Sequence, residues 1–307
     1  MNKTSKAKLK NTLVFLLFAI CLVLLVYKQK TLQISLQNSL NLCFTSIIPA
    51  IFPFMILSDF LMCNLSYYKI SSKENLFEKT FHINRSGLIP FLVGNVCGFP
   101  LGAKLTLQLL KDDNISEKES RLLIPLSSNP SFAFVVSGVG AGMRGAILDG
   151  IVLYISLFLA TILSGFLWRE QKSAPKFNCI FKKKSFSLAN SIKNSALTSM
   201  VASSYIIFFS LFLDIIKSFK VPSTILILIS AFTEIGNSSY IISNASLPPS
   251  ISLALTAFSL GISGLSVYMQ VKSFANNINI KEYAKIKLTE GVFAFLITYL
   301  LSHVLYH

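Results

Sequence analysis

The stretch Gly94-Asn-Val-Cys-Gly-Phe-Pro-Leu-Gly-Ala-Lys104 interrupts an apolar segment that otherwise has the make-up of a membrane span. Three glycines, a proline and a lysine in so short a run cannot continue a lipid-facing helix. Proline removes a backbone donor and its ring clashes with the preceding turn. Glycine weakens a helix and opens dihedrals closed to other residues. In hydrocarbon the freed backbone groups find no water, so non-helical backbone persists only inside protein or along a wet cavity. A broken helix of this kind is the best sequence pointer to a transporter's binding site.

The rest of the chain supplies the membrane context. Of its 307 residues, 53% are hydrophobic and 13% charged, with mean hydropathy +0.63. A soluble domain carries about 25% charged residues. Apolar runs of roughly 17–25 residues recur along the sequence, and no segment between them is long enough for a separate soluble domain. The expected class is an all-α, polytopic membrane helix bundle. The net charge of +15 lies in short loops between apolar spans. That is the pattern of cytoplasmic anchoring rather than of nucleic-acid contact, so the expected partner is the lipid bilayer and not nucleic acid. The five cysteines, Cys21, Cys43, Cys63, Cys97 and Cys179, show no CxxC pairing and no nearby histidine. They read as packing residues, with neither a metal nor a cofactor implied.

Nine apolar segments can be marked, at 12–27, 35–62, 87–110, 122–143, 146–168, 194–216, 221–243, 247–271 and 291–306. The first follows Lys3, Lys6, Lys8 and Lys10 and ends at Lys28-Gln29-Lys30, without a small-residue cleavage site. It reads as an uncleaved span with a cytoplasmic N-terminus, in a multi-pass protein of the cell membrane. The loop 169–193 holds Arg169, Lys172, Lys176, Lys182, Lys183, Lys184 and Lys193 against the single acid Glu170. It should be cytoplasmic. The loop 63–86, with Lys69, Lys73, Lys79 and Arg85, should lie on the same side. Three apolar segments separate these loops, and an odd number of crossings cannot return a chain to its own side. Some part of them is therefore re-entrant. The segments carrying Gly98-Phe99-Pro100 and Asn129-Pro130 are the candidates, because both contain breakers.

The basic loop also divides two similar halves. Residues 1–34 form the tail and first span, 35–168 a first repeat, 169–193 the loop and 194–307 a second repeat. Asp59 and Asp214 sit in matching apolar contexts near the ends of corresponding spans. Each half then has a first break, Gly94–Lys104 or Glu234-Ile-Gly236-Asn237. A second break follows, Ser127–Ser131 or Gly261–Ser266, and then a plain closing span. Corresponding elements should run in opposite directions, which is an inverted-topology repeat.

Several residues at the breaks carry chemistry. Lys104 lies just past Gly98-Phe99-Pro100-Leu101-Gly102. One reading makes it, with the amides of a restarting helix, a site for an anionic group; the other lets it snorkel to the interface beside Lys111. Glu234, before Gly236 and Asn237, is a proton or cation site, or a partner for Lys104, against the alternative of a structural ion pair. Asn129-Pro130-Ser131 and Ser263-Gly264-Leu-Ser266 offer hydroxyls, an amide and freed carbonyls for a neutral part of a substrate, and Gln270 can bond into the same site. Gly138, Gly140 and Gly142 read as helix packing. Asp59 and Asp214 read as interface residues, Arg144 and Asp149 as a pair across a short turn, and residues 111–121 as a solvated connector leading into an amphipathic helix after Asn114. No HExxH, GxSxG or Walker A pattern is present, which disfavours an enzyme.

Taken together, Gly98-Phe-Pro-Leu-Gly-Ala-Lys104, Glu119-Ser-Arg-Leu-Leu and Ser128-Asn-Pro-Ser-Phe-Ala-Phe resemble the YlbJ-type sporulation integral membrane proteins, of the nucleoside-recognition "Gate" domain group. In the second half Phe208-Phe209, Thr233-Glu-Ile-Gly236, Ser263-Gly-Leu-Ser-Val-Tyr-Met-Gln270 and a closing span preceded by Tyr283 and Lys287 agree. The resemblance covers nearly all of the chain from about Ser39. It implies a transport-like membrane protein of endospore-forming bacteria that moves dipicolinic acid, a flat aromatic dianion, across the outer forespore membrane. The expected function is thus a transporter or facilitator of a small anionic metabolite, with no cofactor; a homo-oligomer is compatible with this. A transporter of nucleosides or another neutral metabolite and a non-transport scaffold of spore-envelope assembly stand as alternatives.

Overall fold

In a computed structural model of the chain, residues 12, 15, 23, 26–65, 76–170, 185–274 and 278–306 are described. Most of the expected first span and of the basic loop lies outside the described residues. The described part is helical throughout and forms a membrane-type helix bundle. The first half contains α1 (Gln29–Leu42), a π-turn (Cys43–Ile47) leading into α2 (Ile48–Leu65), and a short α3 (Leu76–Phe81). It continues with α4 (Leu88–Cys97), α5 (Leu101–Lys111), α6 (Glu117–Leu126), the π-helix α7 (Phe134–Met143) and α8 (Ile147–Trp168). The second half contains α9 (Leu188–Lys217), α10 (Ser223–Thr233), α11 (Ile235–Ser243), α12 (Pro249–Ile262), α13 (Gly264–Phe274) and α14 (Ile280–Tyr306).

Among the described residues, α8, α9 and the stretch Pro249–Phe274 are long and apolar enough to cross a membrane. By contrast α4, α5, α6, α7, α10 and α11 each hold about ten residues. At 1.5 Å per residue such a piece is about 15 Å long, half the hydrocarbon thickness. Where a pair of these pieces meets, the break falls deep in the bundle.

The first break is a hairpin turn. A Cβ placed on Gly102 would lie 2.6 Å from the Gly94 Cα. Eight residues along a continuous helix would put those positions about 12 Å apart. The chain therefore doubles back at Gly98–Pro100, where Gly98 has φ +86°, and α4 and α5 are the re-entrant pair. Of the two candidate segments, the one with Asn129-Pro130 does not fold back in this way. In the second half α10 and α11 likewise pack against each other.

The long helices supply the frame. Ser35 of α1 donates to the Asp214 carboxylate near the end of α9. Cys43 approaches the Ser203 carbonyl at 3.9 Å, and Ser191, near the start of α9, donates to Asp59 of α2 at 2.9 Å. As one partner advances along the chain the other recedes, so α9 lies antiparallel to α1–α2. The two matching aspartates meet serines of the opposite half. The closing helices α8 and α14 also pack together, and α14 lies along α12. There Gly261 meets the Gly291 backbone, while Gly140 of α7 meets Gly150 of α8. These are the close approaches that small residues permit between membrane helices. Gly138 and Gly142, expected to share that role, have no such contact.

Two boundaries differ from the sequence reading. The closing span begins at Ile280 rather than near residue 291, because the charged residues of its first turns are partly buried against α6 and α8. The apolar run 122–143 is two helices. The first, α6, is started by a capping box in which the Ser116 Oγ accepts from the Glu119 amide and the Glu119 carboxylate accepts from the Ser116 amide.

The hairpin gives a direct test. A side chain at Gly102 would meet the Ser127 carbonyl at 2.2 Å and the Gly94 backbone, neither of which can rotate away. Gly102→Val should lower stability by about 3 kcal/mol, read as thermal unfolding of the purified protein in detergent. Gly138→Ala, whose new methyl finds nothing closer than 3.6 Å, should leave the midpoint in place.

Candidate functional site

Four breaks meet around one cavity. At the first, the Phe99 amide donates to the Asn129 carbonyl at 2.9 Å, and Gly98 packs on the Ser131 backbone. Ser263, in the left-handed region at φ 62°, ends α12 and its hydroxyl donates to the Ser128 carbonyl at 3.4 Å. A Cβ on Gly264 would stand 3.0 Å from the Thr233 carbonyl. The breaks thus supply one another's backbone partners where no water is at hand. Between them lies a cavity of about 520 Å³, within the range of small-molecule sites.

Of the residues expected at a site, Gly98, Phe99, Pro130, Ser131, Glu234, Gly236, Ser266 and Gln270 line this cavity. Pro100, Gly102, Lys104, Asn129, Asn237, Ser263 and Gly264 do not. Pro100 precedes the first turn of α5, Gly102 is the packing contact with Gly94, and Ser263 and Gly264 hold the breaks together. The remaining wall comes mainly from α7, with Phe134, Ser137, Gly138 and Met143, and from Ile206 of α9. Among the described residues, no lysine or arginine lines the cavity.

Among the described residues, Glu234 is the one carboxylate in the wall. Its side chain caps α11, accepting from the Gly236 amide at 2.9 Å and the Asn237 amide at 2.6 Å. The Asn237 side-chain amide donates to it as well, and reaches Ser210 of α9 at 2.7 Å. Glu234 is therefore not the partner of Lys104. It satisfies amides that the break leaves open, and its charge offsets the positive end of α11. Lys104 turns instead to Asp59, with Nζ 3.9 Å from Oδ1, and forms no hydrogen bond. Its side chain is 26% exposed. It neither faces the cavity nor stands free at an interface.

Helix starts stand near the cavity in place of a lysine. The first turns of α7, α11 and α13 place Phe134, Ile235, Gly236, Ser266 and Val267 in its wall, and α5 begins two residues after the lining Phe99. The N-terminus of each carries about half a positive charge. Half-helix ends of this kind hold anionic groups in transporters. Gln270 adds a second polar feature: its Nε2 donates to Ser266 at 3.3 Å, while its buried Oε1 has no partner.

Behind the second break lies a polar cluster that the sequence reading missed. Lys287 and Glu290 of α14 are 1% and 0% exposed and pair at 2.9 Å. The Lys287 ammonium also donates to the Asn129 Oδ1 at 2.5 Å. Glu290 accepts from Thr161 of α8 at 2.9 Å. The Asn129 side-chain amide donates to Thr161 and to the Asn95 Oδ1, each at 2.8 Å. The available signal was the i, i+3 spacing of Lys287 and Glu290 directly before Gly291, one face of a helix entering an apolar span.

The chain is similar to the sporulation integral membrane protein YlbJ of Bacillus subtilis (strain 168). The two are 26% identical over 345 aligned positions, which take in 96% of this chain and 84% of that protein. The chain is a homologue of the YlbJ-type sporulation integral membrane proteins. That similarity extends over both halves and so over all four breaks. It supports a role for this chain as a membrane protein in sporulation. No family model and no solved structure matches the chain.

The cap role of Glu234 predicts a graded response. Glu234→Ala leaves the Gly236 and Asn237 amides without an acceptor and should cost about 1–2 kcal/mol. Glu234→Gln keeps one acceptor oxygen and should cost less. Both are read from unfolding midpoints, and equal midpoints for the two variants and the wild type would remove the cap from the account.

Proposed function

We propose that this protein is a membrane transporter or facilitator of a small anionic metabolite that binds in the cavity between the four breaks. The observation that carries this reading is that α7, α11 and α13 each place first-turn residues in the wall of that one cavity, with the start of α5 two residues beyond it. Amide dipoles there favour a carboxylate without a full cation in the wall. Glu234 neutralises one of the four ends, and the substrate's negative charge meets the others. Ser131, Ser266 and Gln270 bond its polar edge, while Phe99, Phe134 and Met143 cover its flat faces.

Two supports bear on the mechanism. The antiparallel packing of α9 on α1–α2 fits a pair of oppositely oriented repeats, the architecture in which a midplane site is exposed alternately to each side. The α4–α5 hairpin also fits the charge pattern of the loops. If it enters and leaves on one side while α6–α7 and α8 each cross, then loops 63–86 and 169–193 share the cytoplasmic face. The family resemblance names dipicolinate as substrate and the outer forespore membrane as location, and groups the chain with the nucleoside-recognition Gate proteins. A flat dicarboxylate suits the cavity's size and its helix ends. A neutral metabolite is the second reading, favoured by the absence of lysine and arginine from the lining residues.

Purified protein in lipid vesicles should take up labelled dipicolinate, and excess unlabelled dipicolinate should compete while uridine does not. Competition by uridine alone would select the neutral substrate. Spores formed without the protein should hold several-fold less dipicolinate than the parent's, and unchanged content there would sink this substrate.

A further inference from the structure

The Lys287 ammonium sits in a pocket whose donors are all oxygens. The Asn129 Oδ1 and the Glu290 carboxylate touch it directly. The Tyr283 side chain is buried one turn earlier on the same face of α14. A carboxylate and an amide carbonyl are hard-oxygen ligands of the kind that bind small cations. The Asn129 side-chain amide donates to the Asn95 Oδ1 and to Thr161, so the Asn129 Oδ1 is turned toward the ammonium in advance. A buried carboxylate this far from water needs a positive partner.

The structure assigns this pocket as a monovalent-cation site that the chain fills with its own ammonium. Lys287 is a tethered cation. It neutralises Glu290 and pins Asn129, whose carbonyl in turn holds the Phe99 amide at the cavity wall. The arrangement of the first two breaks therefore depends on a positive charge at this point. Because that charge is covalently attached, the native protein keeps the arrangement without sodium or potassium. This holds whatever the cavity carries.

The test uses the full-length protein in detergent, with thermal unfolding read in the chlorides of sodium, potassium, methylammonium and choline at one ionic strength. Lys287→Ala removes the ammonium and leaves the oxygens. Its midpoint should fall below the wild type's in choline and rise by about 5 °C in saturating sodium or methylammonium. The wild type and the Lys287→Ala/Glu290→Gln double variant should unfold at the same temperature in all four salts. A single variant indifferent to the salt, or a wild type or double variant that responds as strongly, overturns the assignment. If Lys287→Ala cannot be recovered folded in choline, recovery in methylammonium carries the same conclusion. Recovery in neither overturns it.

Discussion

The hydrogen bond from the Phe99 amide to the Asn129 carbonyl shows the constraint on which the rest of the structure depends. Each broken helix leaves backbone groups that hydrocarbon cannot satisfy. One break alone would be an expense with no remedy. Several breaks brought to one level can serve one another, and here they do. The first bonds the second, the fourth bonds the second through Ser263, and the fourth packs on the third through Gly264. Irregular backbone at that level leaves side chains and helix ends turned inward, and the cavity is the space they enclose.

Bringing the breaks to one level requires a frame of matched length. α9 spans 30 residues without interruption, opposite α1 and α2. The reciprocal contacts Ser35–Asp214 and Ser191–Asp59 fix the register at both ends of this pair. Asp59 also draws Lys104 toward the frame. One end of the re-entrant hairpin is thereby attached to the long helices, while its tip at Gly98 and Phe99 reaches the cavity. Closeness at the hairpin itself comes from glycine. Gly94 and Gly102 leave room for the Ser127 carbonyl between them, and no residue with a Cβ fits either position.

Composition and breaker placement made the architecture legible. The four interruptions, their order in each half and the presence of a re-entrant segment follow from prolines, glycines and loop charge. Half of the expected site residues do reach one cavity, because they lie at breaks and the breaks converge. Partner choice was not legible. Lys104 and Glu234 are each the conspicuous charge of their break, yet each finds a nearer partner. Asp59 stands beside Lys104, and the α11 amides follow Glu234 in sequence. The buried pairing of Lys287 with Glu290 was not legible for the opposite reason. They sit among Lys281, Glu282 and Lys285 in what reads as a polar connector, and only the packing of α14 against α8 and the second break shows that their face of the helix is buried.

The separation of the buried cation from the cavity has a physical logic. A lysine in the wall would offer a dicarboxylate a full unit of charge in a medium of low dielectric, where a close ion pair holds strongly. A site that must release what it binds is served better by partial charges spread over several helix ends. This fold keeps its buried ammonium one layer behind the wall, already matched to a carboxylate. The ammonium acts on the cavity only through Asn129, by setting where the backbone stands. The full charge thus shapes the backbone around the cavity without entering its wall.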